Sequence, residues 1–151
     1  MHFDGDDVAG VVDLFGALTR DELGRALGEL AFRAGGDDDP DAHADAIDEA
    51  VADYFLVAVD DGEELLVPGP VAFPNLPEGA ADLPHILDVP ERSVDRDAAA
   101  ERVRERLREE AETVAERGDS ERAATLLNVT YDAEAWAALD LSDVRDALDG
   151  A

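Results

Sequence analysis

Arginine is the residue through which this sequence has most to offer a partner. All twelve basic side chains are Arg and none is Lys, against 39 Asp+Glu. The guanidinium is a planar fork of donors that matches carboxylate and phosphate oxygens two at a time, so clustered Arg marks where an anion or an acidic surface can be held. Six of the twelve (92, 96, 102, 104, 106 and 108) fall within residues 92–108 beside four acids, a local excess of two positive charges in a chain of net charge -27. Arg20, Arg25 and Arg33 are balanced by Asp21, Glu22 and Glu29. The candidate contacts to a partner or to nucleic acid are therefore Arg20, Arg25, Arg33, Arg102 and Arg106. For the cluster after residue 92 the plainer reading is preferred: a solvated helix whose Arg pairs with neighbouring Glu and with the acidic helix at 41–53.

Acid–base and metal chemistry have weaker claims. His43, Asp45, Asp48 and Glu49 share one segment and His85 lies elsewhere. His43 and Asp48 are five residues apart and so off the i, i+4 alignment of a zinc helix. Paired carboxylates are unavoidable at this acid content and carry almost no information. Asp4-Gly5-Asp6-Asp7 and Asp60-Asp61-Gly62 hold cations loosely at best, lacking the ligand count of a calcium loop. No phosphate loop or nucleophile elbow is present. No catalytic, metal or cofactor residue is assigned, and the expected role is non-enzymatic. Tyr131 and Trp136, the large aromatics of the C-terminal part, are expected in the core.

The elements that position these residues follow from periodicity. Val8, Val11, Val12, Phe15 and Leu18 predict a helix over about 6–17. Thr19 with Glu22 has the form of a capping box and opens a second helix, with Leu23, Ala26, Leu27, Leu30 and Ala31 on one face, that stops at Gly35-Gly36. A turn over residues 37–41 opens a third, with Ile47, Ala50, Val51 and Tyr54 buried. The period then becomes two: residues 54–59 and 64–67 read as strands around Asp60-Asp61-Gly62-Glu63, a hairpin signal because the turn needs positive φ. Both strands have apolar stretches on both faces, so one face should meet the helices and the other be covered by the rest of the chain. Six of the seven prolines lie between Pro68 and Pro90. That segment is too apolar for a free linker and should lie against the domain.

A long helix follows over about 97–117, ended by Gly118. Its charge pairs are expected at Glu101–Arg104, Glu105–Arg108, Arg106–Glu110 and Arg108–Glu112. Its stripe of Val103, Leu107, Ala111 and Val114 is narrow and predicts one packing neighbour, for which a second copy of the chain is a candidate. Three short helices complete the chain, capped by Asp119 or Ser120, by Asp132 and by Ser142.

Charge sets the environment. Asp and Glu run the whole length, and in dilute buffer their repulsion opposes compaction. At 1 M salt the Debye length is only about 3 Å. Yet 46% of residues are hydrophobic and fall in periodic blocks, which a disordered acidic chain would lack. The composition is that of a protein from a cell that keeps molar salt inside. Without Cys there is no disulfide. The acidic start lacks the features of a signal peptide, and the longest uncharged run, 65–77, holds four prolines and is too short to span a bilayer. The expected location is the cytoplasm, with no membrane contact.

Three helices followed by a hairpin resemble a winged helix-turn-helix domain over residues 6–68. The resemblance places 41–53 in the recognition-helix position and Asp60–Glu63 at the wing tip. The turn from Gly35 to Pro40 is longer than the 3–4 residues usual in that motif. Residues 37–54 hold eight acids and no Arg, which opposes phosphate contact. The stretch ATLLNVTYDAEAWAALDLSDVRDAL also resembles small acidic haloarchaeal proteins of unassigned function. The expected fold is α+β and mostly helical: a winged-helix-like unit over 1–73, a Pro-rich packed connector over 74–95, and a C-terminal helical region over 96–151. The expected role is an interaction or regulatory module with a protein partner or a second copy of itself. A DNA-binding regulator is the alternative, and an enzyme of unrecognised class comes third.

Overall fold

The computed structural model describes residues 2–36 and 39–149. The chain divides into two compact units, residues 1–94 and 95–151. It is α+β and mostly helical, with a two-stranded antiparallel hairpin after three helices and long helices towards the C-terminus.

In the first unit α1 spans Gly5–Phe15, α2 Arg20–Arg33 and α3 Pro40–Ala52. Each start has a side-chain cap. The Asp7 amide donates to the Asp4 carboxylate at 2.8 Å and the Asp4 amide donates back to Asp7. The expected Thr19–Glu22 box is present in both directions. Asp39 accepts from the Ala42 amide, with Pro40 in the first turn, where its missing N–H costs nothing. Asp37 and Asp38 of the expected turn lie outside the described residues. Val8, Val11, Val12 and Phe15 of α1 meet Leu23, Leu27 and Leu30 of α2 and Ile47 and Ala50 of α3 in one apolar cluster.

The hairpin pairs β1 (Leu56–Asp60) with β2 (Glu64–Pro68) in the register Ala58 opposite Leu66. Gly62 supplies the positive φ of its turn, at 82°. Leu18, in the link between α1 and α2, adds a third rung: its amide donates to the Leu66 carbonyl at 3.1 Å, and the Leu66 amide donates back at 2.7 Å. β2 is thus flanked on both edges, which the sequence pattern does not announce. Tyr54 belongs to neither helix nor strand. It is fully buried at φ 67°, and its carbonyl accepts from the Val71 amide.

The Pro-rich segment packs on this unit as expected. The Phe73 amide donates to the Asp6 carboxylate, the Asn75 amide to the Asp6 carbonyl, and the Asn75 side chain to Asp7 at 2.7 Å. A side chain at Gly10 would strike the Asn75 backbone, so that glycine lets the segment approach α1. Ala80, Leu83 and Pro77 are buried, and α4 (Leu83–Ile86) is a single turn. Phe73 itself points away, 82% exposed.

In the second unit α5 spans Arg96–Arg117 and ends at Gly118 in the left-handed conformation (φ 65°). Three expectations are corrected here. The first two short helices are one continuous α6, Ser120–Trp136, capped by Asp119. Asp132 therefore caps nothing, because Val129, Thr130 and Ala133 are buried around it and keep the helix running. α7 (Ser142–Leu148) has no side-chain cap; the Ser142 hydroxyl donates to Asp140 instead. Thirdly, α5 packs against both α6 and α7. Ala99 and Ala100 widen its buried stripe, and Leu107 is fully enclosed, so Leu107 itself is not a surface contact.

The aromatic expectation also fails. Trp136 is half-buried and Tyr131 is 57% exposed. Each lies under a guanidinium, Arg96 over Trp136 and Arg145 over Tyr131, both 4.7 Å from the ring centroid.

Candidate functional site

The candidate arginines of the first unit converge on α2, and most are committed. Arg20, at the start of α2, donates to Asp48 of α3 at 2.6 Å and to Glu64 of β2 at 3.1 Å. Burial opposes the charge of Arg20, but these two carboxylates outweigh it and raise the pKa. Arg33 reaches Asp82 at 3.5 Å and the Gly79 carbonyl at 3.3 Å. Arg25 is exposed and makes no ion pair among the described residues. Of the second-unit candidates, Arg102 pairs with Glu105 at 3.4 Å and Arg106 is half-buried. The expected Glu101–Arg104 pair forms at 3.5 Å, whereas Arg108 turns to Asp143 at 3.0 Å rather than to Glu105 or Glu112.

The exposed face of α3 carries Asp41, Asp45, Asp48 and Glu49. The structure therefore brings Arg20 to α3 only as the counter-ion of one of its acids. His43 is 4% exposed and its ring is tilted against Phe3, 5.9 Å between centroids. His85 is exposed.

Sequence reasoning counted Arg92 with the clustered arginines and missed its partner. Its guanidinium grips Glu22 two-pronged, at 2.6 and 3.1 Å, and its amide donates to the Phe15 carbonyl. Both side chains are mostly buried, 18% and 14% exposed. Glu22 was legible as a capping residue; its second partner, 70 residues on, was not. The Arg92 hydrogen bond holds the Glu22 carboxyl below its ordinary 4.5, against the opposing effect of burial. A depressed carboxyl stabilises the fold above its unfolded value, and that contribution is lost as pH falls through the folded one. Wild type and Glu22→Gln should accordingly differ in urea midpoint by a constant amount above about pH 5.5, and the gap should close as pH drops below the ordinary carboxylate range. A gap that stays constant down to acid unfolding would contradict the pairing.

Between α2 and α3 lies a groove of about 370 Å³, lined by Arg20, Asp21, Gly24, Arg25, Pro40, His43, Ala44 and Ile47. Gly24 stands in mid-helix at its edge, and a Cβ there would meet nothing within 4 Å. Glycine in a helix interior costs about 1 kcal/mol relative to Ala. Gly24→Ala is therefore expected to raise stability by about 0.5–1 kcal/mol in urea titration at fixed salt. A loss of stability would mean that the backbone there is not free to take a side chain.

Among the described residues no helix is long and apolar enough to cross a membrane, and no three His, Asp or Glu are grouped to hold a metal. No curated protein and no solved structure matches the chain. A family model does match, over residues 6–151, nearly the whole length. The chain belongs to that family, described as a family of unknown function (DUF7109).

Proposed function

We propose that the first unit is a winged-helix module used for contact with a protein, in the cytoplasm of a salt-accumulating cell, rather than for reading DNA. The observation that carries this is the state of the would-be recognition helix. Its exposed face is Asp41, Asp45, Asp48 and Glu49, and the arginine that reaches it, Arg20, is held by Asp48 and Glu64. A DNA reader needs donors to phosphate oxygens and base edges at that position, and these are acceptors. A basic or hydroxyl-rich protein surface is the complementary partner. The winged-helix reading is supported by the Leu18–Leu66 rung, which ties the link between the first two helices to the second strand of the wing.

The test is selection from a random duplex library in about 2 M KCl, where screening leaves only short-range contacts. No sequence is expected to be enriched, while a pull-down in the same salt retains a protein. Enrichment of one duplex, abolished by Arg25→Ala, would make the DNA-binding alternative correct.

The salt-accumulating setting has its own test. The chain should fold cooperatively in about 2 M KCl and lose much of its structure well below about 0.5 M, as carboxylate repulsion returns. Circular dichroism unchanged in dilute buffer would remove the reason given for the charge of -27.

A further inference from the structure

We propose that the groove between α2 and α3 is a binding site for a small apolar molecule bearing a carboxylate, with Gly24 opening the space and Arg25 receiving the charge. The inference goes beyond the protein-contact reading and stands whichever macromolecule the first unit meets.

Gly24 is the first support. Gly5, Gly10, Gly16 and Gly69 sit where a side chain would strike Phe55, Asn75, Arg92 and Tyr54 respectively. Gly16, Gly35, Gly62, Gly79 and Gly118 adopt positive φ. Gly24 has neither reason: its Cβ position is open and its φ is ordinary for a helix. A residue that weakens α2 without a packing or conformational return is explained by the space it leaves. That space, about 370 Å³, lies within the range of small-molecule sites.

The walls specify the ligand. Gly24, Pro40, Ala44 and Ile47 present carbon, which suits an apolar body. Arg20 lines one part of the groove but is engaged by Asp48 and Glu64, so it draws no further anion. Asp21 beside it repels a carboxylate. Arg25, one turn further along, has no ion pair among the described residues and remains to bind one. A guanidinium takes a carboxylate two-pronged, a geometry that survives high salt better than a distant charge does. His43, built into the wall at 4% exposure, provides a reporter.

The experiment is an NMR titration of the full chain in about 2 M KCl with naphthoate and its neutral isostere naphthamide, following the Gly24 amide and the His43 ring. The expected result is a saturable shift at both reporters with naphthoate, with a Kd below about 1 mM. Gly24→Leu, and independently Ala44→Leu on the opposite wall, should weaken binding at least about tenfold by filling the groove. Arg25→Gln should weaken naphthoate about threefold and leave naphthamide unchanged, the size expected of an exposed charged contact. Absence of saturation by about 10 mM, or wild-type affinity in both groove-filling variants, would overturn the site. Naphthamide binding as tightly as naphthoate would overturn the assignment of a carboxylate.

Discussion

Leu107→Asp is expected to unfold the second unit rather than to separate a dimer. Leu107 is fully enclosed among α5, α6 and α7. The substitution removes a buried aliphatic side chain and puts a carboxylate in its place, together costing about 3–5 kcal/mol. A unit of this size holds only a few kcal/mol of stability, at about 0.05–0.15 kcal/mol per residue. Amide exchange in high salt should show protection lost across α5–α7 and retained in α1–α3 and the hairpin. Full protection of α5 in the variant would show that Leu107 is not the core residue described here.

A second large effect is expected at Gly16. Its φ is 89°, and a Cβ would fall on the Arg92 carbonyl oxygen. Gly16→Val puts a β-branched residue where even Ala is strained, at about 1–2 kcal/mol for the backbone alone. It also pushes the Arg92 backbone away from Phe15, breaking the bond between the Arg92 amide and the Phe15 carbonyl and drawing the guanidinium off Glu22. Hydrogen bonds to charged groups contribute about 1.5–3 kcal/mol, so the total is about 4 kcal/mol. The check is the urea midpoint at fixed KCl beside that of Gly24→Ala, which should move the opposite way. A midpoint within error of wild type would mean that residues 89–94 do not close on the α1–α2 link.

What was legible in the sequence is what is decided locally. The Thr19–Glu22 box, the Gly118 stop and the Asp60–Glu63 hairpin turn each depend on residues within a few positions of one another. Asp132 shows the limit of local reading. It is a good capping residue by type, but burial of its neighbours Thr130 and Ala133 keeps the helix continuous. Tyr131 and Trp136 fail for a related reason: size alone assigned them to the core, whereas Arg145 and Arg96 cover them at the surface. At the candidate site Arg20, Arg25 and Arg33 were legible as residues but not in their condition. Arg20 is held by Asp48 and Glu64, and Arg33 by Asp82, partners 28 to 49 positions away that only the tertiary fold supplies. Gly24 was not singled out in the sequence, because a glycine within a helical stripe gains meaning only once α3 is known to face it.

The way the Pro-rich segment returns to α1 also governs the order in which the chain can be completed during synthesis. The bonds that fasten the segment join Asp6 to Phe73, Asp7 to Asn75 and Glu22 to Arg92, spans of 67 to 70 residues. In the second unit the bond from Arg96 to Trp136 spans 40. Distant contacts carry a larger loop-closure cost and form more slowly. The unit that leaves the ribosome first is therefore the slower one to finish. Its α1 keeps an apolar flank uncovered until residue 92 has emerged, and a nascent chain halted before that point is the form most in need of a chaperone.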